Sequence, residues 1–315
     1  VAADTITAGA LSATNVQPAS LVAGASGSVT VSFTTTNPIP ADGKMAVGFP
    51  ATFAFNNGAA TAATSATMDG TLAAAISGST VTITRSGGTS QAAAAETIVL
   101  SNVRNPQVSG TPGAAYTIET KNAADTLIDA NMNVAADTFT AGALSVLSMT
   151  HASLTAGATS NTTIAFTAAN PVPVNGDVQV TFPAGFNIST AAYVSGNAGA
   201  SATIAGQVLT INLGTQVSAG AAVSIVVSGI KNPTVTGSGG SYAMESQDVS
   251  DILIDQGTAA ANTITAGALS ATNVQPTSLV AGAAGNATVS FTTANPIPAD
   301  GKILVTFGSG FAFNS

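Results

Sequence analysis

The chain contains no cysteine, no tryptophan and one histidine, and only six of its 315 residues are basic. Without cysteine there can be no disulfide, no thiolate metal site and no cysteine nucleophile. Without a basic stripe there is nothing to neutralise phosphates, so nucleic acid is excluded as a partner and an anionic membrane surface is disfavoured. No apolar run approaches the roughly 20 residues that would span a bilayer. Charged residues make up only 6% of the chain, and the net charge is −8 with an isoelectric point near 4.2. A chain so poor in charge still builds a core, because 45% of it is apolar. Ala and Val dominate that set, with Ile, Leu and Phe at spaced positions, and Thr, Ser, Gly and Asn fill the rest. β-Branched residues and turn formers in this mixture favour strands over helices.

The most sharply repeated stretch is Asn37-Pro-Ile-Pro-Ala-Asp-Gly-Lys44. It returns as Asn170-Pro-Val-Pro-Val-Asn-Gly-Asp177 and as Asn295-Pro-Ile-Pro-Ala-Asp-Gly-Lys302. A second marker is Val1 to Leu11, which recurs at Val134 to Leu144 and at Ala259 to Leu269. Gly9, Gly142 and Gly267 set a period of about 130 residues, the length of one β-sandwich domain. The first and third copies are nearly identical and the second has diverged, which hints at a larger two-unit repeat.

Each copy of the Asn-Pro-x-Pro stretch lies between two alternating runs. Val29, Val31 and Phe33 share one face, matched by Ile164 and Phe166 and by Val289 and Phe291. The run that follows presents Met45, Val47 and Phe49, then Val178, Val180 and Phe182, then Ile303, Val305 and Phe307. A period of two with one apolar face predicts half-buried antiparallel strands. Between them, Asn37, Pro38 and Pro40 (Asn170 and Pro171, Asn295 and Pro296) must stop strand pairing, because Pro removes ladder donors. Asp42-Gly43, Asn175-Gly176 and Asp300-Gly301 then turn the chain, by residues that tolerate positive φ.

Further strands are expected at Thr80–Arg85 and around Leu209 and Ile211, and at Glu96–Val103 and Val223–Ile230. Others are expected from Tyr116 and from Tyr242. The segment Asn57–Ala66 reads as a loop. Seven or eight short strands per unit predict an all-β fold of tandem Greek-key β-sandwich modules, the last one incomplete. The expected boundaries are 1–11 as an end strand or linker, 12–144 and 145–269 as whole sandwiches, and 270–315 as the first strands of a third. That third part is expected to be a window on a longer array, or to be completed by strands of a neighbouring copy.

The stretches Val31 to Thr35, Asn37 to Lys44, Val47-Gly-Phe-Pro50 and Asn105-Pro106 resemble the Ig-like β-sandwich repeats of large microbial extracellular and cell-surface proteins. That resemblance implies adhesion, spacing or fibre building rather than catalysis, an extracellular location, and partners that are copies of itself, adjoining repeats or glycans. The cysteine pair and buried Trp of antibody-type domains are absent, so no antibody-like binding site is carried over.

Candidate chemistry is sparse, and no catalytic or cofactor-binding residue is expected. His151 aligns with Pro18 and Pro276, so no triad or His metal site recurs, and it reads as a surface or loop side chain. Asp125, Asp129, Asp251 and Asp255 lie near the unit joints, where Asp4 and Asp137 also recur. Carboxylates there fit Ca²⁺, although i and i+4 on a strand stand roughly 13 Å apart and neither pair chelates alone. The other reading is solvated charge and turn capping. Asn161, Asn187 and Asn286 head Asn-x-Ser/Thr sequons, the glycosylation candidates. A Lys–Asn staple at Lys44 and Lys302 is disfavoured by Asp177 in the second copy. Tyr116 and Tyr242 read as core residues rather than sugar platforms.

Overall fold

The computed structural model describes residues 6–56 and 58–313. Every regular element among them is a strand. In the first unit these are β1 (Gly9–Ala10), β2 (Ser12–Pro18), β3 (Ser26–Thr34), β4 (Lys44–Gly48), β5 (Ala63–Ser65), β6 (Thr71–Ser77), β7 (Thr80–Ser86), β8 (Ala95–Arg104), β9 (Tyr116–Lys121) and β10 (Leu127–Val134). They form two sheets, in the orders β1-β10-β9-β4-β7-β6 and β2-β3-β8-β5. Val31 and Phe33 from one sheet and Met45, Val47, Ile83 and Ile118 from the other meet in one buried cluster. Alternation along each strand produces this core, since every second side chain faces the opposing sheet.

The second unit repeats the plan with β11 (Gly142–Ala143), β12 (Ser145–His151), β13 (Thr159–Thr167), β14 (Asp177–Thr181), β15 (Ala192–Gly196), β16 (Gly199–Ala205), β17 (Val208–Leu213), β18 (Ala222–Lys231), β19 (Gly237–Ser238), β20 (Tyr242–Gln247), β21 (Leu253–Ala259) and β22 (Thr263–Ile264). Its two large sheets run β11-β21-β20-β14-β17-β16 and β12-β13-β18-β15, and β19 pairs with β22 in a small third one. The core is again a single cluster, centred on Ile164, Phe166, Val178, Ile211 and Met244.

Beyond it lie β23 (Ser270–Pro276) and β24 (Ala287–Thr292), paired in one small sheet. Here the expectation fails in part. The run Ile303 to Phe307 forms no strand, and Ile303 is 60% exposed. The reason is pairing. In the first unit β4 is held between β7 and β9, and no described residues supply those neighbours to the third.

Other details differ from the sequence reading. The expected loop Asn57–Ala66 contains the short strand β5, paired with Leu100 to Ile98 of β8; Asn57 lies outside the described residues. Strand β6 has three Ala in a row at its centre, and only Thr71 and Ile76 give a β-branched signal. The unit boundaries also move. Gly142 and Ala143 pair in parallel with Asp255 and Gln256, and Leu144 sits in the second core, so 142–144 belong to the second unit. By the same rule Gly9 and Ala10 pair with Asp129 and Ala130 and Leu11 joins the first core. Those residues are part of the first unit rather than a preceding end strand.

Candidate functional site: the joint between units

The Asn-Pro-x-Pro stretch does more than turn the chain. In the first unit the Asp129 side chain is fully buried. Its Oδ2 accepts the backbone N–H groups of Thr36 (3.0 Å) and Asn37 (2.9 Å), and its Oδ1 accepts Asn37 Nδ2 (2.7 Å). The second unit repeats this geometry. Asp255 Oδ2 accepts from Ala169 and Asn170 N–H (2.9 Å each), and Oδ1 accepts Asn170 Nδ2 at 2.7 Å. A buried carboxylate is tolerable when its lone pairs are filled by donors, and three amides do that here. Ile39 and Val172 within the stretch are fully buried. The turn closes by Gly43 N–H to Pro40 O (2.9 Å), Gly176 to Pro173 (3.1 Å) and Gly301 to Pro298 (2.8 Å). Positive φ is used only at Asn175 (63°), not at Asp42, Gly43, Asp300 or Gly301.

Asn170 also reaches outside its unit. The same Nδ2 donates to the carbonyl of Ala23 in the first unit, at 3.2 Å. Asn295 Nδ2 donates to Ala156 O of the second unit at 2.9 Å. The receiving turn is shaped for this. Gly24 and Gly157 both have φ of +70°, and a Cβ on either would lie 1.6 or 1.7 Å from the Asn Oδ1. No residue with a side chain fits that approach. The turn is fixed from its own unit by the later Asn-Pro marker. Asn105 Nδ2 donates to Ser20 O and Val22 O, and Asn232 Nδ2 to Ser153 O and Thr155 O.

The linker completes the joint. Phe139 is 2% exposed and packs edge-on against Phe53, 5.7 Å between centroids. Ile264 is likewise 2% exposed in the second core. The next residue forms a parallel bridge to the turn, Thr140 to Val22 and Thr265 to Thr155. Two residues later Gly142 joins the sheet of the following unit. The first linker is therefore shared, its first half completing one unit and its second half the next, whereas in the second linker Gly267 and Ala268 form no strand. Ser109 of the first unit also donates, by N–H and hydroxyl, to Leu253 O at 2.8 Å.

The four aspartates considered for Ca²⁺ are not brought together. Asp129 and Asp255 have both oxygens engaged by amides. Asp125 and Asp251 are exposed and sit at positive φ (62° and 61°) in the turns before β10 and β21, and Asp125 pairs with Lys44 at 2.9 Å. Among the described residues no three His, Asp or Glu side chains cluster as metal ligands. Asp4 lies outside the described residues. The sequons at Asn161, Asn187 and Asn286 are all on exposed positions. Asn187 Oδ1 accepts the Ser189 N–H at 2.9 Å, a local turn bond.

His151 is neither a surface nor a loop residue. It ends β12, is 7% exposed, and stacks on Phe186 at 5.3 Å. Its Nε2 meets Tyr242 Oη at 2.8 Å and its Nδ1 meets Thr162 Oγ1 at 2.7 Å. Burial pushes its pKa from 6.5 down to about 4 and pushes the Tyr242 hydroxyl up to about 12. In the first unit Pro18 takes the His position, and Tyr116 Oη instead donates to Asp137 at 3.3 Å. Burial raises the pKa of both groups, with the Asp137 charge adding to the effect on Tyr116. Asn262 replaces Asp137 in the second unit. Each unit thus satisfies its buried tyrosine by a different partner.

No protein-family model matches the chain, and no curated protein matches it. Among solved structures, one contains manganese lipoxygenase of Gaeumannomyces graminis and part of zonadhesin of Komagataella pastoris. It shares 13% identity over 80% of this chain and 93% of that chain, at a TM-score of 0.25. Another is a putative membrane anchored protein from Corynebacterium diphtheriae, 12% identical over 81% of this chain and 91% of that one, also at 0.25. At that score neither likeness bears on fold or function, and the joint itself is what this chain offers for interpretation.

Proposed function

We propose that this chain is a structural segment of an extracellular fibre or cell-surface stalk, built of tandem Ig-like Greek-key sandwiches and carrying no catalytic role. The observation that carries the reading is the repeated joint, with Asn170 bonded to Ala23 and Asn295 bonded to Ala156. A flexible string of independent domains needs no such contact. Here an Asn, a left-handed Gly and a linker Thr bridged to the turn recur at both junctions, which is how a fixed angle is propagated along an array. The low density of surface charge adds to this, because like-charged neighbours repel one another weakly.

Electron microscopy of the native material tests the reading. Rods or filaments with an axial repeat of one or two units are expected. Compact single particles, or strings of units at random angles, would sink it. A second reading, an adhesin whose loops hold a partner or glycan, draws on the divergence between residues 57–66 and 191–200, where Val194 is 49% exposed.

A further inference from the structure

Among the described residues, one sheet edge of the two whole units is left open in a way that the others are not. Strand β6 is the outermost strand of its sheet and pairs with β7 alone. All seven residues, Thr71 to Ser77, stand in unbroken register with Ser86 to Thr80. Proteins blunt such edges with a bulge, a proline, a charged side chain or a very short strand. Strand β2 ends in Pro18, and β5 has three residues. Strands β1, β11, β19 and β22 have two residues each. Strands β12, β15 and β16 are each interrupted by a register shift. Strand β6 uses none of these devices, and its sequence, Thr-Leu-Ala-Ala-Ala-Ile-Ser, carries no charge.

The hairpin decides which backbone groups are free. Gly78 and Ser79 form a two-residue turn, so Ser77 and Thr80 close the ladder as a hydrogen-bonded pair. Bonded and non-bonded pairs then alternate along the strand. Ala75, Ala73 and Thr71 bond to β7, while Ile76, Ala74 and Leu72 turn their N–H and C=O groups out of the sheet. No described residue meets those groups. The same three residues send their side chains inward, where they pack against the first core but stay only half-buried. Thr71, Ala73, Ala75 and Ser77 are exposed. One added strand covers both the free backbone groups and the margin of the core.

We propose that this strand is β6 of a second copy of the chain, antiparallel to the first and centred on Ala74, so that two six-stranded sheets become one. The strand's own sequence selects this occupant. About Ala74 it is symmetric in kind, with Leu72 opposite Ile76, Ala73 opposite Ala75 and Thr71 opposite Ser77. The free backbone groups lie at 72, 74 and 76, positions that the same two-fold axis exchanges, so each free N–H meets a free C=O. A slip of one residue turns the apolar side chains to the wrong face. No like charges are brought together, and the contact is isologous and closes at the dimer. Adjoining repeats of the same array do not fit this place. Their joints link them head to tail through different surfaces, whereas β6 on β6 needs two identical strands running in opposite senses. Strand β6 is internal to a whole unit, and the joint to the second unit leaves it open. The pairing does not depend on the fibre reading, and within a fibre it ties two strings side by side.

Sedimentation over a range of concentrations tests it with Ala74→Pro, and with Ala202→Pro in β16 as the control. Both alanines turn their N–H away from the partner strand, since Ala202 faces Ile211 three places from the Ala205–Val208 closing pair. Proline therefore costs neither hairpin a ladder bond, and circular dichroism should be unchanged. The parent chain and Ala202→Pro should pass from monomer to dimer as concentration rises, and Ala74→Pro should stay monomeric. Disulfide trapping reads the register, in a chain that has no cysteine of its own. Ala73→Cys and Ala75→Cys face each other across the proposed pair, whereas like positions stand roughly 7–8 Å apart, too far for a disulfide. Mild oxidation should cross-link an equimolar mixture of the two variants and leave each one alone uncross-linked. If Ala74→Pro loses its fold, the trapping result decides alone. A parent chain that is monomeric throughout overturns the proposal, as does a folded Ala74→Pro that dimerises like the parent. Cross-linking of either cysteine variant alone as readily as of the mixture overturns it too.

Discussion

Arg85 and Glu96 are both fully buried, and they occupy the places that Leu213 and Val223 fill in the second unit. Arg85 is satisfied. It donates to Asp69 O and Pro40 O and forms an ion pair with the Asp69 carboxylate. Glu96 is not, since neither carboxylate oxygen has a hydrogen-bond partner. An unpartnered buried polar group costs its full desolvation. Glu96→Val should therefore raise the stability of the first unit, by roughly 1–3 kcal/mol in urea unfolding. No gain would mean that the carboxylate finds a partner in solution. Asp255 is the opposite case. Asp255→Ala leaves three donors without their acceptor, and the second unit should lose about 2–4 kcal/mol in the same measurement. His151 sets a pH dependence. In the unfolded chain it titrates near 6.5, while in the fold it stays neutral down to about 4. Between those values only the unfolded chain takes the proton. The second unit should thus be fully stable above about pH 6.5 and lose stability as the pH falls towards 4, by up to roughly 3 kcal/mol. The difference in urea midpoint between pH 7.5 and 4.5 should shrink in His151→Phe; an unchanged difference would assign the effect to carboxylates instead.

At the scale of elements, strands rich in Val, Ile and Phe were legible because their alternation is strict. Val29, Val31 and Phe33, and Met45, Val47 and Phe49, are buried as their spacing predicts. Strands built on Ala were not, because Ala carries no β preference. The Asn-Pro-x-Pro stretch stood out as a repeat, but its partner did not. Asp129 is 92 residues from Asn37, and no local pattern joins them. Only its recurrence with Asp255 gave a hint, and oxygen chemistry alone then suggested a cation. His151 had a readable signal in its alignment with Pro18, which is buried. The short parallel strand β11 was hidden because it has two residues, and its register depends on a glycine. A Cβ on Gly142 would lie 2.1 Å from Asp255 Oδ1 and 2.4 Å from Asn170 Nδ2. Gly142→Ala should therefore detach β11 and lower the thermal midpoint of the second unit by several degrees. Gly113→Ala, with nothing within 4 Å and no positive φ, should leave both units unmoved. Equal effects would mean that the tight approach relaxes without cost.

For the whole molecule, the joints decide whether two stable units make a rod. Asn170 belongs to the core of its own unit and to the contact with its neighbour, so both use one amide. Gly24→Asn accommodates the left-handed backbone but places a side chain where the Asn170 amide must sit. Small-angle scattering should then report a wider spread of particle lengths than in the parent chain, while each unit keeps its unfolding transition. An unchanged scattering curve would show that the linker alone holds the angle.

The shared linker gives such an array an unusual response to load. A pull that separates the first two units must draw Phe139 out of one core and strip Gly142 and Ala143 from the sheet of the other. Strain at a junction is thereby converted into partial opening of the domains on both sides. An array joined in this way would yield by softening several neighbouring domains a little, before any one of them unravels.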